Sequence, residues 1–301
     1  MTTIASTTSK EKFAFAAETA AVSRGYWTTV GTRLIRDPVS VGCAVVLIFM
    51  VLIAIFAPFL APYDPSQGTM LKRLSPIGTE GHWLGTDELG RDMLSRLMHG
   101  GQMSLMMGLL PVFIAFAIGT SLGLVAGFFG GWINSLIMRT TDVFFAFPAV
   151  LLAIAISGAL GAGFINAIIS LTLVFIPPIA RVAESVTTSV RNLDFVEAAR
   201  ASGAGNFTII RVHVLGNVLG PVFIYATSLV SVCMILAAGL SFLGLGVRPP
   251  TAEWGLMLNT LRQSIYIQPW ISVLPGLMIF ITSLCFNLLS DGLRSAMDIK
   301  R

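Results

Sequence analysis

Six apolar runs dominate the hydrophobic pattern of the chain, and short polar segments separate them. A membrane-spanning helix needs about 20 predominantly apolar residues, and each run is long enough to cross a bilayer. The pattern therefore predicts an all-α polytopic membrane protein with six transmembrane helices. The predicted spans cover residues 39–61, 103–128, 133–160, 164–185, 218–243 and 270–289.

The composition agrees with a membrane environment and argues against a soluble globular domain. Of the 301 residues, 55% are hydrophobic and only 11% are charged, whereas a soluble domain carries about 25% charged residues. The chain also contains 29 glycines. Such a content is typical of membrane helices, in which small residues let backbones approach closely.

The 19 lysines and arginines are distributed unequally, and this distribution predicts the orientation of the chain. Most of them lie in the N-terminal segment, in the loop after the fourth span and at the C-terminus. By the positive-inside rule both termini and the loop 190–216 are predicted to be cytoplasmic, and the loop 62–102 external. The net charge of +4 therefore reflects topology and does not indicate a nucleic-acid partner.

The chain divides into a polar N-terminal segment, 1–37, and a transmembrane domain, 38–301. Two interpretations of the stretch from Lys12 to Arg36 remain open, a helix lying on the cytoplasmic leaflet and a disordered tail. The first span is not a cleavable signal peptide, because its uncharged run far exceeds the apolar region of about 7–15 residues in such peptides.

A short polar segment between the fourth and fifth spans carries its own helix signals. An aspartate is the predicted N-cap, and a glutamate three residues later completes a pattern similar to a capping box. Two glycines then offer natural stops for a helix of about 12 Å. Small alanines on this helix would let the groove of a partner protein approach its backbone. We expect the following residues to form this docking element: Asp194, Glu197, Ala198, Ala199, Gly203 and Gly205.

The second span contains three glycines at intervals of four residues, Gly119, Gly123 and Gly127. Such a ridge lets another helix come close and gain van der Waals contact, which drives helix association in lipid. Packing within one chain and packing at a subunit interface are both compatible with the spacing.

Four positions are predicted to break or bend helices and to act in gating. Pro148 lies inside the third span, and the pair Pro177-Pro178 is expected to bend or break the fourth span. Gly216 stands near the start of the fifth span, where it is also expected to interrupt the helix.

Charged residues inside the spans are expected to pair within their own helices. Arg139 with Asp142, and Arg181 with Glu184, have the i, i+3 spacing that places side chains on one helix face. Pairing offsets the high cost of charge in the membrane. A substrate-binding role for the first pair is the alternative, and the sequence does not otherwise identify substrate-binding residues.

The segment before the second span has a helical apolar period at Leu89, Met93 and Leu97. This period predicts an amphipathic helix at the outer membrane interface. Asp92 and Arg96 are spaced to pair across one turn of that helix.

The sequence lacks the motifs of an enzyme or of a nucleotide-binding chain. It contains no glycine-rich phosphate loop and no H-E-x-x-H pattern, and its one G-x-S-x-G match, at 119–123, lies inside an apolar predicted span and not at a strand-to-helix turn. Its three cysteines lie inside predicted spans without metal-ligand spacing. We therefore predict no catalytic residues and no bound cofactor or metal, and we expect energy for uphill transport to enter from a partner.

Several motifs together resemble one known family. The segment from Glu197 to Gly203 is similar to the E-A-A-x3-G loop of permease subunits in ATP-binding-cassette (ABC) importers. Other matching motifs are typical of the dipeptide, oligopeptide and nickel permeases. Importers of this group have two unlike permeases, and the chain resembles the "C" permease, which has the shorter loops. These motifs are Leu84-Gly85-Thr86-Asp87, Gly90-Arg91-Asp92, Met138-Arg139-Thr140-Thr141-Asp142, Ala146-Phe147-Pro148, Leu240-Ser241-Phe242-Leu243-Gly244, Glu253-Trp254-Gly255 and Asp291-Gly292-Leu293-Arg294.

The resemblance implies a type I ABC importer permease in the bacterial inner membrane. It implies as partners a second, unlike permease, two ABC ATPases that are alike or different, and an extracytoplasmic substrate-binding protein, all assembled in the lipid bilayer. ATP and Mg²⁺ would be used by the ATPases, and the helix from Glu197 to Gly203 would couple them to the spans. One departure from the family pattern is Gly216, which stands where a proline is usual.

The predicted function is the import of dipeptides or oligopeptides delivered by the binding protein. Alternatives within the family are a nickel chelate, glutathione, an opine or an oligosaccharide. The alternative from another class is a secondary carrier that works without any ATPase.

Overall fold

The computed structural model describes residues 26–297, and this part of the chain is built almost entirely of helices. Five of the helices there are long and apolar enough to cross a membrane. Compared with the predicted spans, the second and fifth begin ten and twelve residues earlier, the fourth and sixth end six and eight residues later, and the third is divided. The helices are α1 (Tyr26–Arg36), α2 (Pro38–Leu60), α3 (Met93–Phe129), α4 (Gly131–Phe145), α5 (Ala149–Leu160), α6 (Phe164–Arg191), α7 (Asp194–Ala201), α8 (Asn206–Phe242), α9 (Trp254–Leu261) and α10 (Pro269–Met297).

The third predicted span is two helices rather than one. Helix α4 ends at Phe145 and α5 begins at Ala149, with an angle of 89° between them. Pro148 is the N-cap residue of α5. It has no backbone N–H to continue α4, and its ring disfavours helical geometry in the preceding residue. Counting the bent pair as one crossing gives six crossings in residues 26–297.

The other two predicted positions do not interrupt their helices. Helix α6 continues through Pro177 and Pro178 without interruption, because close packing against α3 supports the turns on either side. Gly216 lies inside the continuous helix α8. The irregularity falls just before it, in a π-helical segment, Ile209–Val214.

The predicted glycine ridge on α3 lies directly against α6 of the same chain. A Cβ atom added to Gly119, Gly123 or Gly127 would lie 2.9, 2.3 and 2.7 Å from backbone oxygens of α6. The contacted oxygens advance in step with the glycines, so the two helices run in the same direction. They belong to Ile176, Ala180 and Glu184, respectively.

The N-terminal helix is joined to the first span through a capped turn. Asp37 caps α2 by accepting hydrogen bonds from the backbone N–H groups of Val39 (3.4 Å) and Ser40 (3.1 Å). The hydroxyl of Ser40 also donates to this carboxylate, and that bond lowers the pKa of Asp37. Gly292 of α10 lies against Ser40, where a larger residue would not fit.

The predicted amphipathic helix before the second span is wrong, because α3 begins only at Met93 and Leu89 lies outside it. Gly90 turns the chain with a φ of +74°, and Asp92 then caps α3 by accepting from the backbone N–H of Ser95 at 2.8 Å. Asp92 is therefore engaged as a cap and does not pair with Arg96.

We predict that Gly123→Ala destabilises the protein, by about 1–3 kcal/mol, because its methyl group would overlap the backbone of α6. Gly239→Ala is the matched control, since Gly239 lies in a membrane helix with nothing within 4 Å of an added Cβ. Thermal unfolding of the two purified variants in detergent measures the difference. Equal melting temperatures would show that the ridge does not set the α3–α6 distance.

Candidate functional site: the helix between α6 and α8

The candidate site is the short helix α7, which follows α6 after a two-residue connection. Its eight residues give a length of about 12 Å. The predicted N-cap is wrong, because Leu193 occupies that position and Asp194 is the first helical residue. The carbonyl of Leu193 accepts from the N–H groups of Val196 (2.9 Å) and Glu197 (3.3 Å). This turn forms without a side-chain cap, and the two acidic side chains lie at the positive end of the helix dipole.

The other end of α7 is closed by a glycine in the left-handed conformation. Gly203 has a φ of +83°. Its N–H donates to the carbonyl of Arg200 at 3.0 Å, and the N–H of Ala204 donates to the carbonyl of Ala199 at 3.1 Å. This pair of bonds is a Schellman motif, which satisfies the last carbonyls of a helix. The predicted stop therefore lies at Gly203, whereas Gly205 has an ordinary φ of −69°.

One face of α7 anchors the helix and the other is open. Val196 is fully buried and belongs to the same apolar core as Ile209 of the π-helical segment. Ala199 packs against that core, so it lies on the anchoring side and not on the open side where we expected it. Glu197 and Ala198 are exposed. The helix is thus fixed to the chain along one side and presents the other to solvent or to a partner.

Large apolar side chains are exposed on α7 and on the segments directly before and after it. They include Leu193 and Phe195, which are 47% and 42% exposed, and Phe207 and Val212, which are 75% and 63% exposed. Exposed apolar groups collected around a polar helix are typical of a protein-binding surface. The small residues of α7 are recognisable from the sequence, whereas the exposure of these apolar side chains is visible only in the structure.

The charged residues of the spans pair between helices and not within them. Arg181 of α6 donates through Nη2 to Asp142 of α4, and Glu184 accepts from the side chain of Asn134 at 2.6 Å. Both predicted i, i+3 pairs, Arg139–Asp142 and Arg181–Glu184, are therefore wrong, because α4 folds against α6 and supplies partners that are distant in sequence.

A second polar centre, missed from the sequence, lies in the loop before α3. The carboxylate of Asp87 is buried and holds two arginines, with Arg91 Nε at 2.6 Å and Arg96 Nε at 3.1 Å. Its other oxygen accepts from the backbone N–H groups of Leu89 and Arg91, both at 2.9 Å. A buried carboxylate that receives this many donors holds the surrounding loop in one conformation.

This loop is joined to the loop before α9 through the start of α3. The buried carboxylate of Glu253 caps α9 and accepts from the hydroxyl of Ser104 at 3.0 Å. The indole of Trp254 donates to the carbonyl of Leu97 at 2.9 Å. The motifs quoted from this part of the sequence therefore have structural roles. Within residues 26–297 no group of three His, Cys, Asp or Glu side chains could hold a metal ion.

Comparison with known families agrees with this geometry. Residues 119–299 match the family described as the inner membrane component of binding-protein-dependent transport systems. Residues 25–76 match the N-terminal transmembrane domain of oligopeptide transport permease C. The chain therefore belongs to the binding-protein-dependent permeases of ABC importers, which are multi-pass proteins of the bacterial inner membrane.

Individual relatives are similar over nearly the whole chain. The glutathione transport system permease protein GsiD of Pectobacterium atrosepticum is 40% identical over 274 residues, which are 91% of each chain. The protein of the same name from Escherichia coli is 44% identical, over 91% of this chain and 90% of its own.

Solved structures show the same fold. The MetNI methionine ABC transporter, in an inward-facing conformation, contains a chain with a TM-score of 0.55 and 21% identity, covering 68% of this chain and 97% of its own. An amino acid ABC transporter crystallised with histidines gives a TM-score of 0.51 at 16% identity, over 66% of this chain and 92% of its own.

We predict that Gly203→Ala weakens the end of α7 by about 1 kcal/mol, because a Cβ atom disfavours the left-handed conformation. Gly205→Ala is the matched control. Neither glycine has any atom within 4 Å of an added Cβ, and only Gly203 has a positive φ. Hydrogen exchange of the amides of residues 194–204 should accelerate in the first variant alone. Equal exchange in both variants would contradict the assigned role of Gly203.

Proposed function

We propose that this permease imports glutathione or a related short peptide, and that α7 receives the driving force from an ABC ATPase. The arrangement of α7 is the observation that supports the coupling role. It is a short helix closed at its C-terminal end by Gly203, anchored through Val196 and open along Glu197 and Ala198. Only two residues separate Asp194 from Arg191 at the end of α6, so a push on α7 is transmitted to a membrane helix.

The proposed orientation puts both termini and α7 in the cytoplasm. It is supported by the positive-inside rule, since Arg33 and Arg36 of α1, Arg200 of α7 and Arg294 near the end of α10 would then share one side. The loop that contains Asp87 would lie on the opposite side, where a substrate-binding protein delivers its solute.

The proposed assembly contains a second, unlike permease, two ABC ATPases and an extracytoplasmic binding protein. ATP and Mg²⁺ would be used in the ATPases, and this chain would have no catalytic role. Closure of the ATPases would move α7 as a unit because Val196 and Ala199 hold it to the core. The π-helical segment Ile209–Val214, which follows α7, is where the fifth span could adjust its register.

The choice of glutathione is supported by the names of the relatives at 40% and 44% identity. Glutathione is a tripeptide, so it also agrees with the predicted peptide class. Nickel chelates, opines and oligosaccharides have no comparable support. Uptake assays of the reconstituted complex with labelled glutathione, a dipeptide and a nickel chelate separate these solutes. Uptake of the chelate alone would reject the proposal.

We predict that Glu197→Lys abolishes ATP-dependent uptake while membrane insertion stays normal, because it reverses a charge on the open face of α7 without touching the core. Glu80→Lys, at an exposed position of the first loop, is the control with the same change of net charge. Uptake of glutathione into proteoliposomes that contain the complete complex measures the effect. Normal uptake by the α7 variant would exclude the coupling role, and uptake without any ATPase would favour a secondary carrier.

A further inference from the structure

An exposed ion pair connects α4 to α6 beside the bend in the third span. In the pair, Arg181 is 52% exposed and Asp142 is 57% exposed. The guanidinium carbon of Arg181 also lies 4.8 Å from the centre of the Phe145 ring, at the end of α4. The arginine therefore contacts both the acidic partner and the last residue before the bend.

The position of this pair along the chain places it inside the predicted spans. At a rise of 1.5 Å per residue, Arg181 lies about 6 Å from the end of the fourth predicted span at residue 185, and Asp142 lies about 14 Å from the start of the third at residue 133. The hydrocarbon core of a bilayer is about 30 Å thick. Charged side chains at such a depth face the interior of a bundle or a water-filled cavity, because lipid does not solvate them.

The bend in the chain adjoins this pair. The chain at 146–148 is not helical, and its flanks are open, with Phe145, Phe147 and Val150 exposed by 49%, 57% and 50%. The N–H groups of Ala146 and Phe147 donate to the carbonyls of Asp142 (3.1 Å) and Phe144 (3.3 Å), so the turn is bonded internally. The exclusion of lipid from this surface therefore rests on the exposed charges of Arg181 and Asp142.

We propose that this surface lines the solute path and that Arg181 binds a carboxylate of the solute during passage. Among residues 26–297 the guanidinium has one hydrogen-bond partner, Asp142, so further donors of its planar fork are free for a second acceptor. A carboxylate matches that fork in shape and charge. The solute can take the place of Asp142 without leaving the arginine unpaired, and Asp142 is then free to receive an ammonium group.

This inference deepens the proposed function, because glutathione carries two carboxylates and one ammonium group. It is tested without any solute by attaching charged thiol reagents to Asp142→Cys in the complete complex in lipid nanodiscs. The reagents are the anionic sulfonatoethyl and the cationic trimethylammonioethyl methanethiosulfonates. The three native cysteines are buried, so the wild-type complex gives the background.

Two control positions calibrate the labelling. Phe49→Cys lies on α2, where the native side chain is 62% exposed on an apolar face, and it should stay unreactive in lipid. Tyr266→Cys replaces a side chain that is 91% exposed between α9 and α10, and it should react with both reagents.

We expect Asp142→Cys to react, and to prefer the anionic reagent on the order of tenfold relative to Tyr266→Cys, because Arg181 concentrates anions at that point. Adding Arg181→Gln should remove the preference. Absence of labelling in every nucleotide state, equal rates for both reagents, or a preference that survives Arg181→Gln would each overturn the inference. Since no solute is present, these results are independent of whether the complex imports glutathione.

A charge exchange separates solute binding from a merely structural role. The double variant Asp142→Arg/Arg181→Asp restores a salt bridge but moves the cation to α4. If the pair only holds α4 to α6, glutathione uptake should recover relative to the single variants, and this recovery would overturn the inference. We expect uptake to stay low while ATPase activity stimulated by the loaded binding protein is retained.

Discussion

The backbone contact between α3 and α6 is the constraint on which the rest of the structure depends. In lipid, helices gain no hydrophobic free energy from association, so van der Waals contact must hold them together. Gly119, Gly123 and Gly127 allow that contact to reach the backbone oxygens of α6. The same contact supports α6 through its two prolines, so this helix remains continuous from Phe164 to Arg191.

Both functional regions are attached to this rigid pair. Helix α7 follows α6 directly, and its open face is the only part of it that is not committed to the apolar core around Val196. From the same end of this helix pair, α4 returns against α6 and ends at the bend before Pro148. A displacement of α7 therefore reaches the bend through α6, with few flexible residues between them.

The sequence was informative where local chemistry decides the outcome. Apolar run lengths predicted the spans, Pro148 predicted a helix break, and the helix stop at Gly203 followed from the conformational freedom of glycine. Sequence-based prediction failed where a residue distant in the chain is the actual partner of a charged side chain. Asp142 and Arg181 are 39 positions apart, and no periodicity identifies such a pair. Likewise Asp92 had a helical partner at Arg96 by spacing, but the turn at Gly90 made it a cap instead.

The location of the Asp142–Arg181 pair also bears on how a largely uncharged path can pass a charged solute. An arginine at membrane depth is costly unless an anion accompanies it in every state of the cycle. If Arg181 pairs with Asp142 when the path is empty and with a solute carboxylate during passage, the arginine always has an anionic partner. Because the two residues lie on different helices, separation of α4 from α6 would weaken the resting pair and favour the exchange. The same movement that opens the path would thus free Arg181 to bind the solute carboxylate. Solute binding would in this way be coupled to the displacement of α7.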